Sequence, residues 1–197
     1  MNIILGIVLP VIGYLCGSLA SAVVVCRMMK LPDPREGGSG NPGATNVLRL
    51  GGKKAAGLTL AGDVLKGVVP VLLAHVLTDS PAILAGTAVA AVVGHMYPVF
   101  FGFKGGKGVA TAFGAVAALV YPVALFMAAV WVLAAMATRY ASLASMAAAV
   151  AAPLFALVFI REPAYIIGLS VIAALLVYRH RGNIERLRQG SEPEINL

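Results

Sequence analysis

Charge is what this 197-residue chain most lacks: Asp, Glu, Lys and Arg together make up 12% of it, about half the share of a soluble domain. With so little polar surface, a water-soluble enzyme is excluded. Its 60% apolar content excludes disorder as well. Cysteine is nearly absent, with only Cys16 and Cys26. Ten helical residues would separate them by about 15 Å, too far for a disulfide, so they read as small buried hydrophobes and support no thiolate metal site. An HExxH pair and a dense carboxylate cluster are also missing, and His75 with Asp79 alone makes a poor metal site. No internal repeat is evident.

Apolar runs fill the chain instead, and the mean hydropathy is +0.92. They extend over Asn2–Cys26, Ala55–Leu77, Pro81–Phe103, Val109–Val120, Tyr121–Thr138, Ser142–Ile160 and Ala164–Tyr178. Ala20-Ser21-Ala22 mimics a signal-peptidase site, but Arg27 and Lys30 follow the first run and no cation precedes it. That order is the reverse of a signal peptide's, so the run reads as a retained span. The fourth run would rise only about 18 Å against a hydrocarbon core of roughly 30 Å. It is either a short span or the first half of a kinked helix continuing through Tyr121-Pro122. Seven spans put every Lys and Arg inside except Arg161 and the intramembrane Lys66; six would move Arg139 and the tail arginines outside. The positive-inside bias favours seven, with the N-terminus outside and the C-terminus in the cytoplasm. The expected fold is an all-α integral membrane protein, a single membrane-embedded domain over residues 1–197. Its Ala- and Gly-rich spans suit close helix packing.

The unusual polar segments, residues 37–50, 102–108 and 179–190, all fall on the inner face in this topology. The first contains Gly37-Gly38-Ser39-Gly40-Asn41-Pro42-Gly43-Ala44-Thr45-Asn46, with Arg49 shortly after. Glycines let successive amides converge on an anion. Asn41-Pro42 looks like an N-cap followed by a first-turn proline, giving a short helix whose N-terminus suits an anion. A flexible turn beside an interfacial helix is the equal alternative. The second segment, Gly102-Phe103-Lys104-Gly105-Gly106-Lys107-Gly108, sets two lysines in a glycine loop ahead of a helix, as phosphate binding requires. It departs from a Walker loop, because Gly108 stands at the Ser/Thr position and no strand precedes it. The third, His180-Arg181-Gly182-Asn183 and the arginines after it, reads by itself as an anchor on anionic lipid. Ser142 reads as a cap of the sixth span.

Asp63 and Lys66 lie one turn apart within the second span, Asp63 about 12 Å beyond its start. Intramembrane charges carry a functional hypothesis by default, and a structural ion pair is the competing account. His95, near the inner end of the third span, could touch the same region.

With these segments placed, the sequence resembles the bacterial acyl-phosphate:glycerol-3-phosphate acyltransferases of the PlsY type. The resemblance rests on Gly38 to Arg49 (GSGNPGATNVLR), Gly94 to Thr111 (GHMYPVFFGFKGGKGVAT) and His180 to Asn183 (HRGN). Asp63-Val64-Leu65-Lys66-Gly67 and Ser142-Leu143-Ala144-Ser145 add to it. It implies a seven-span enzyme of the bacterial inner membrane, active on the cytoplasmic face. That enzyme moves a fatty acyl group from a long-chain acyl phosphate to the 1-hydroxyl of glycerol 3-phosphate, giving lysophosphatidic acid and phosphate, the first acylation of phospholipid synthesis.

An acyl phosphate is a mixed anhydride already activated for attack, so the chemistry needs no acyl-enzyme and no triad. Lys104, Arg49, His180 and Asn183 are expected to hold glycerol 3-phosphate. Ser39, Asn41, Thr45, Asn46 and Lys107 are expected to hold the donor phosphate or the oxyanion. Gly40, Gly105, Gly106, Asp63 and His95 complete the binding set, and Ser142 joins Lys104, His180 and Asn183 as catalytic. The proton would go to the leaving phosphate, the preferred substrate-assisted course, or to His180. No metal, cofactor or nucleic acid is called for. A soluble enzyme making the acyl phosphate is the expected upstream partner. The rival readings are a transporter of an organic phosphate, which would favour repeats and a midplane site, and a lipid-binding scaffold.

Overall fold

Proline and glycine punctuate the apolar runs into nine α-helices in the computed structural model, which describes residues 2–195. These are α1 (Asn2–Gly17), α2 (Ser21–Met28), α3 (Ala44–Leu77), α4 (Pro81–Met96), α5 (Val109–Leu119), α6 (Tyr121–Thr138), α7 (Ala141–Phe155), α8 (Pro163–Arg179) and α9 (Arg181–Arg188). A 3₁₀ turn at Val99–Phe101 follows α4 and a π turn at Ala156–Ile160 extends α7. Proline stands in the first turn of α4, α6 and α8, where the missing amide N–H has no intrahelical partner anyway. No strand occurs among the described residues.

Five helical stretches are long and apolar enough to cross a membrane: Ile3–Met28, Ala44–Leu77, Pro81–Phe101, Tyr121–Thr138 and Ala141–Ile160. Among the described residues the pair α8–α9, bent by 55°, passes the same test only when its two helices are taken together. Helix α5 is apolar but only 11 residues long. The outward surface is as apolar as the composition requires: Ile3 is 82% exposed, Val76 81% and Phe159 68%. In water such a surface would aggregate; in lipid it is the solvated face.

The structure corrects the sequence reading in two places. The first run is broken: the backbone leaves the helix after Gly17 and re-enters it at Ser21, with the Ser18 hydroxyl donating to Tyr14 O (2.8 Å). Helix α3 starts at Ala44 with Gly43 as its N-cap, so Asn41-Pro42 lies upstream of the cap. It then joins the short interfacial segment to the span through Gly52, whose φ of 76° belongs to the left-handed region. The fourth and fifth runs form separate helices divided at Val120, in line with the two-helix alternative at Tyr121-Pro122.

The chain forms two compact units, Met1–Leu119 and Val120–Leu197. In the first, α1 packs along α4 and α3 along α5. Small residues bring these helices close: a Cβ on Gly67 would collide with the Thr111 carbonyl, and one on Gly114 with that of Val64. In the second unit α7 packs between α6 and α8, and Trp131 donates its indole N–H to Ser145 Oγ (3.1 Å) across the α6–α7 contact.

Candidate active site

Asn46 organises the loop between α2 and α3. It is 1% exposed, and its amide donates to the carbonyls of Pro34 and Gly37 (both 2.9 Å) while its Oδ1 accepts from Ser39 N–H (2.9 Å). Three bonds from one side chain fold residues 34–39 into a tight arch. Gly38 lies in that arch at φ 62°, and a Cβ there would run into Asn46 Oδ1, so only glycine fits on both counts. Ser39, Gly40, Thr45 and Arg49 face outward from this scaffold and Asn41 is half-buried. Thr45 and Arg49 lie one turn apart on the first segment of α3.

The second loop adjoins the first. Arg35 is clamped to Asp33 (Nε 3.0 Å to Oδ1, Nη2 2.6 Å to Oδ2), and its Nη1 donates to Phe101 O at 3.4 Å. The hydrogen bonds from Arg35 hold the Asp33 carboxyl below its ordinary pKa. Gly105 and Gly106 press onto the end of α4: Gly106 N–H donates to His95 O (3.2 Å), and a Cβ on Gly106 would sit 2.5 Å from His95 Nε2 and 3.1 Å from Pro42 O. Lys104 projects from the loop exposed, and Lys107 is half-buried. Two of the three polar stretches therefore share one end of the first unit, each offering glycine amides and cations.

Beneath the second loop lies a buried polar cluster. Lys66 Nζ is 2.8 Å from Asp63 Oδ1 and donates to Leu19 O (2.8 Å), a carbonyl in the α1–α2 break that also accepts Ser21 N–H (3.0 Å). His95 Nδ1 lies 3.5 Å from the same Asp63 oxygen and 3.0 Å from Thr111 Oγ1. Asp63 and His95 are 3% and 6% exposed. The structure thus places them under the loop and away from the surface that carries Lys104.

The second unit holds Ser142, His180 and Asn183, all buried. His180 ends α8 and begins α9, with its Nδ1 2.7 Å from Leu176 O. Ser142 does not cap α7, whose N-cap is Tyr140. Its hydroxyl donates instead to Glu192 Oε1 (2.6 Å), as does Asn183 Nδ2 (2.6 Å), while Arg186 Nε donates to Glu192 Oε2 (2.8 Å). Burial alone would raise the Glu192 pKa, but these donors outweigh it and hold the carboxyl below its ordinary range. The sequence pattern assigned no role to Glu192. The available signal was Glu192 and Glu194 following a run of arginines, a pattern that invites an ion pair.

Known proteins bear the same pattern. Residues 7–190 match the family model described as glycerol-3-phosphate acyltransferase. The chain belongs to this family. It is 51% identical to the glycerol-3-phosphate acyltransferase of Legionella pneumophila (strain Corby) over 191 residues, covering 97% of this chain and 69% of that protein. Against the enzyme of the same name from Methylococcus capsulatus it is 51% identical over 183 residues, covering 93% and 92% of the two chains. Its fold matches the crystal structure of PlsY (YgiH), an integral membrane glycerol 3-phosphate acyltransferase, in the glycerol 3-phosphate form. The TM-score is 0.92, with 46% identity and coverage of 97% and 96%. The lysophosphatidic acid form of that protein matches with a TM-score of 0.89 and 45% identity. This glycerol-3-phosphate acyltransferase family member is therefore an all-helical integral membrane acyltransferase, as the residues suggested.

Proposed function

We propose that the chain transfers a fatty acyl group from a long-chain acyl phosphate to the 1-hydroxyl of glycerol 3-phosphate. The alcohol oxygen forms the new ester bond, the acyl–phosphate bond breaks, and the alcohol proton leaves with the departing phosphate. The products are lysophosphatidic acid and inorganic phosphate. The observation that carries this reading is the joining of the Asn46-braced loop and the Lys104–Lys107 loop at one end of the first unit. Two anionic substrates need two sets of amides and cations, and adjoining loops supply them. The solved relative in glycerol 3-phosphate and lysophosphatidic acid forms supports the acceptor and the product.

In this reading Lys104 and Arg49 bind the acceptor phosphate. Ser39, Gly40, Asn41, Thr45 and Lys107, with the amides of Gly105 and Gly106, meet the donor phosphate or the oxyanion. Asn46 serves this set by shaping its loop, and Ser142 acts with Asn183. The protein's task is positioning and charge stabilisation, since the mixed anhydride is already activated. We assign seven spans, with α5 the short one, the N-terminus outside and the site on the cytoplasmic face of a bacterial inner membrane. That assignment rests on the one-sided distribution of Lys and Arg. A soluble enzyme that makes the acyl phosphate would precede it.

Purified protein given palmitoyl phosphate and glycerol 3-phosphate, without accessory protein, is expected to yield lysophosphatidic acid and phosphate in equal amounts. Lys104→Ala should lower kcat/KM by about 100-fold or more, the loss typical of removing one donor from a preorganised charge-stabilising site. Near-parent turnover by folded Lys104→Ala would remove the lysine from the site.

A further inference from the structure

The loop that bears Lys104 and Lys107 leaves α4 just after His95 and enters α5 just before Thr111. Those two residues, at the loop's two ends, are joined by the 3.0 Å contact between Thr111 Oγ1 and His95 Nδ1. The His95 carbonyl also receives Gly106 N–H (3.2 Å) from the middle of the loop. His95 therefore touches both the far end of the loop and its centre. Its ring is fixed in turn from α3, where Asp63 Oδ1 faces Nδ1 at 3.5 Å.

Asp63 is anchored by Lys66, and Lys66 by the Leu19 carbonyl. That chain of contacts ties the α1–α2 break, α3, α4 and α5 into one polar cluster. A pair of charges buried to 5% and 4% side-chain exposure gives no stability over an apolar pair of the same shape. Its retention at membrane depth asks for another account. Fixing the shape of the glycine loop supplies one. Thr111 also stands at a close approach of α3 and α5, its carbonyl against Gly67, so a shift of α3 is transmitted to the loop's exit.

We infer that Asp63, Lys66, His95 and Thr111 are positioning residues that set the glycine loop in its phosphate-binding shape without touching substrate. This rests on the reading of that loop as a phosphate site. Loops rich in glycine have many alternative conformations, and holding one of them is what makes a set of amides a cradle.

The test is Thr111→Val, which keeps the shape and removes the hydroxyl, with Thr111→Ser as the variant that restores it. His95→Gln, whose amide replaces Nε2 and leaves the Nδ1 side empty, serves as a second disruption. KM and kcat are measured for glycerol 3-phosphate and for palmitoyl phosphate, alongside the thermal midpoint in detergent. The expected result is a KM for at least one phosphorylated substrate raised about tenfold or more, with kcat within about threefold of the parent, and recovery in Thr111→Ser. The substrate whose KM moves identifies which phosphate the loop holds. Parent KM values for both substrates overturn the proposal, whatever the midpoint does, and so does a fall in kcat alone. If Lys104→Ala is also silent, the phosphate reading of the loop has failed; if Lys104→Ala is severe while Thr111→Val and His95→Gln are silent, only the positioning role has.

Discussion

The two units handle anionic groups in opposite ways. In the first, amides and cations are braced from behind and turned outward: Asn46 holds one loop, His95 the other, and Lys104, Arg49, Ser39 and Thr45 are exposed. In the second, the donors of Ser142, Asn183 and Arg186 converge on a carboxylate the chain itself supplies. A site can thus be made rigid by scaffold bonds that leave its working face open, or by an internal counter-ion that uses the working groups as scaffold. The difference predicts where substitution damages activity, where it damages the fold, and where it does both.

The largest stability effect is expected under the first unit's open face. Lys66→Met leaves the buried Asp63 carboxylate with only the His95 ring beside it, at 3.5 Å, and breaking a buried pair by removing one partner costs about 3–5 kcal/mol. Thermal unfolding in detergent should show a deep loss that Asp63→Asn combined with Lys66→Met largely restores, because the pair as a whole stabilises little. The double variant should remain poor in substrate binding if the cluster shapes the loop. Full recovery of both stability and KM would mean that the charges serve neither purpose.

Asn46→Ala sharpens the comparison at intermediate size. Three hydrogen bonds disappear at about 1 kcal/mol net each, and the carbonyls of Pro34 and Gly37 must find water. The exposed Ser39 and Gly40 then lose their arch. Stability should fall by roughly 2–3 kcal/mol and KM for a phosphorylated substrate should rise. A stability loss with unchanged KM would show that the first loop's shape is irrelevant to binding.

The helical, membrane-embedded character was legible because hydropathy is a property of composition, and lipid tolerates little besides helices here. The two glycine-rich segments were legible as loops as well, since glycine at such density disfavours a helix. What escaped was tertiary. Nothing local marks Ser18 as the point where the first helix opens, and the Leu19 carbonyl beside it meets Lys66 only through the fold, 47 positions away. Asn46 reads as a ligand by residue type, yet its amide is taken by its own loop. Glu192 was overlooked because its partners Ser142 and Asn183 are scattered through the sequence, and only the fold of the second unit brings them to one carboxylate.

Glu192 also gives the smallest of these effects, and the one that separates the units by pH. Its carboxyl is held below the ordinary range by Ser142, Asn183 and Arg186, so ionised Glu192 stabilises the folded state. That contribution is complete at neutral pH and persists down to the ordinary glutamate value of about 4.3. It is then lost as pH falls through the lower folded-state value. Arg186 is 45% exposed, and solvent screens its share of the attraction. Glu192→Gln should therefore lower the thermal midpoint by only a few degrees at pH 7 and flatten the acid limb of the midpoint-against-pH curve. An unchanged acid limb would show that the tail carboxylate does not couple to folding. Ser142 and Asn183 would then be held by helix packing alone, and the contrast between an open unit and an internally compensated one would lose its second half.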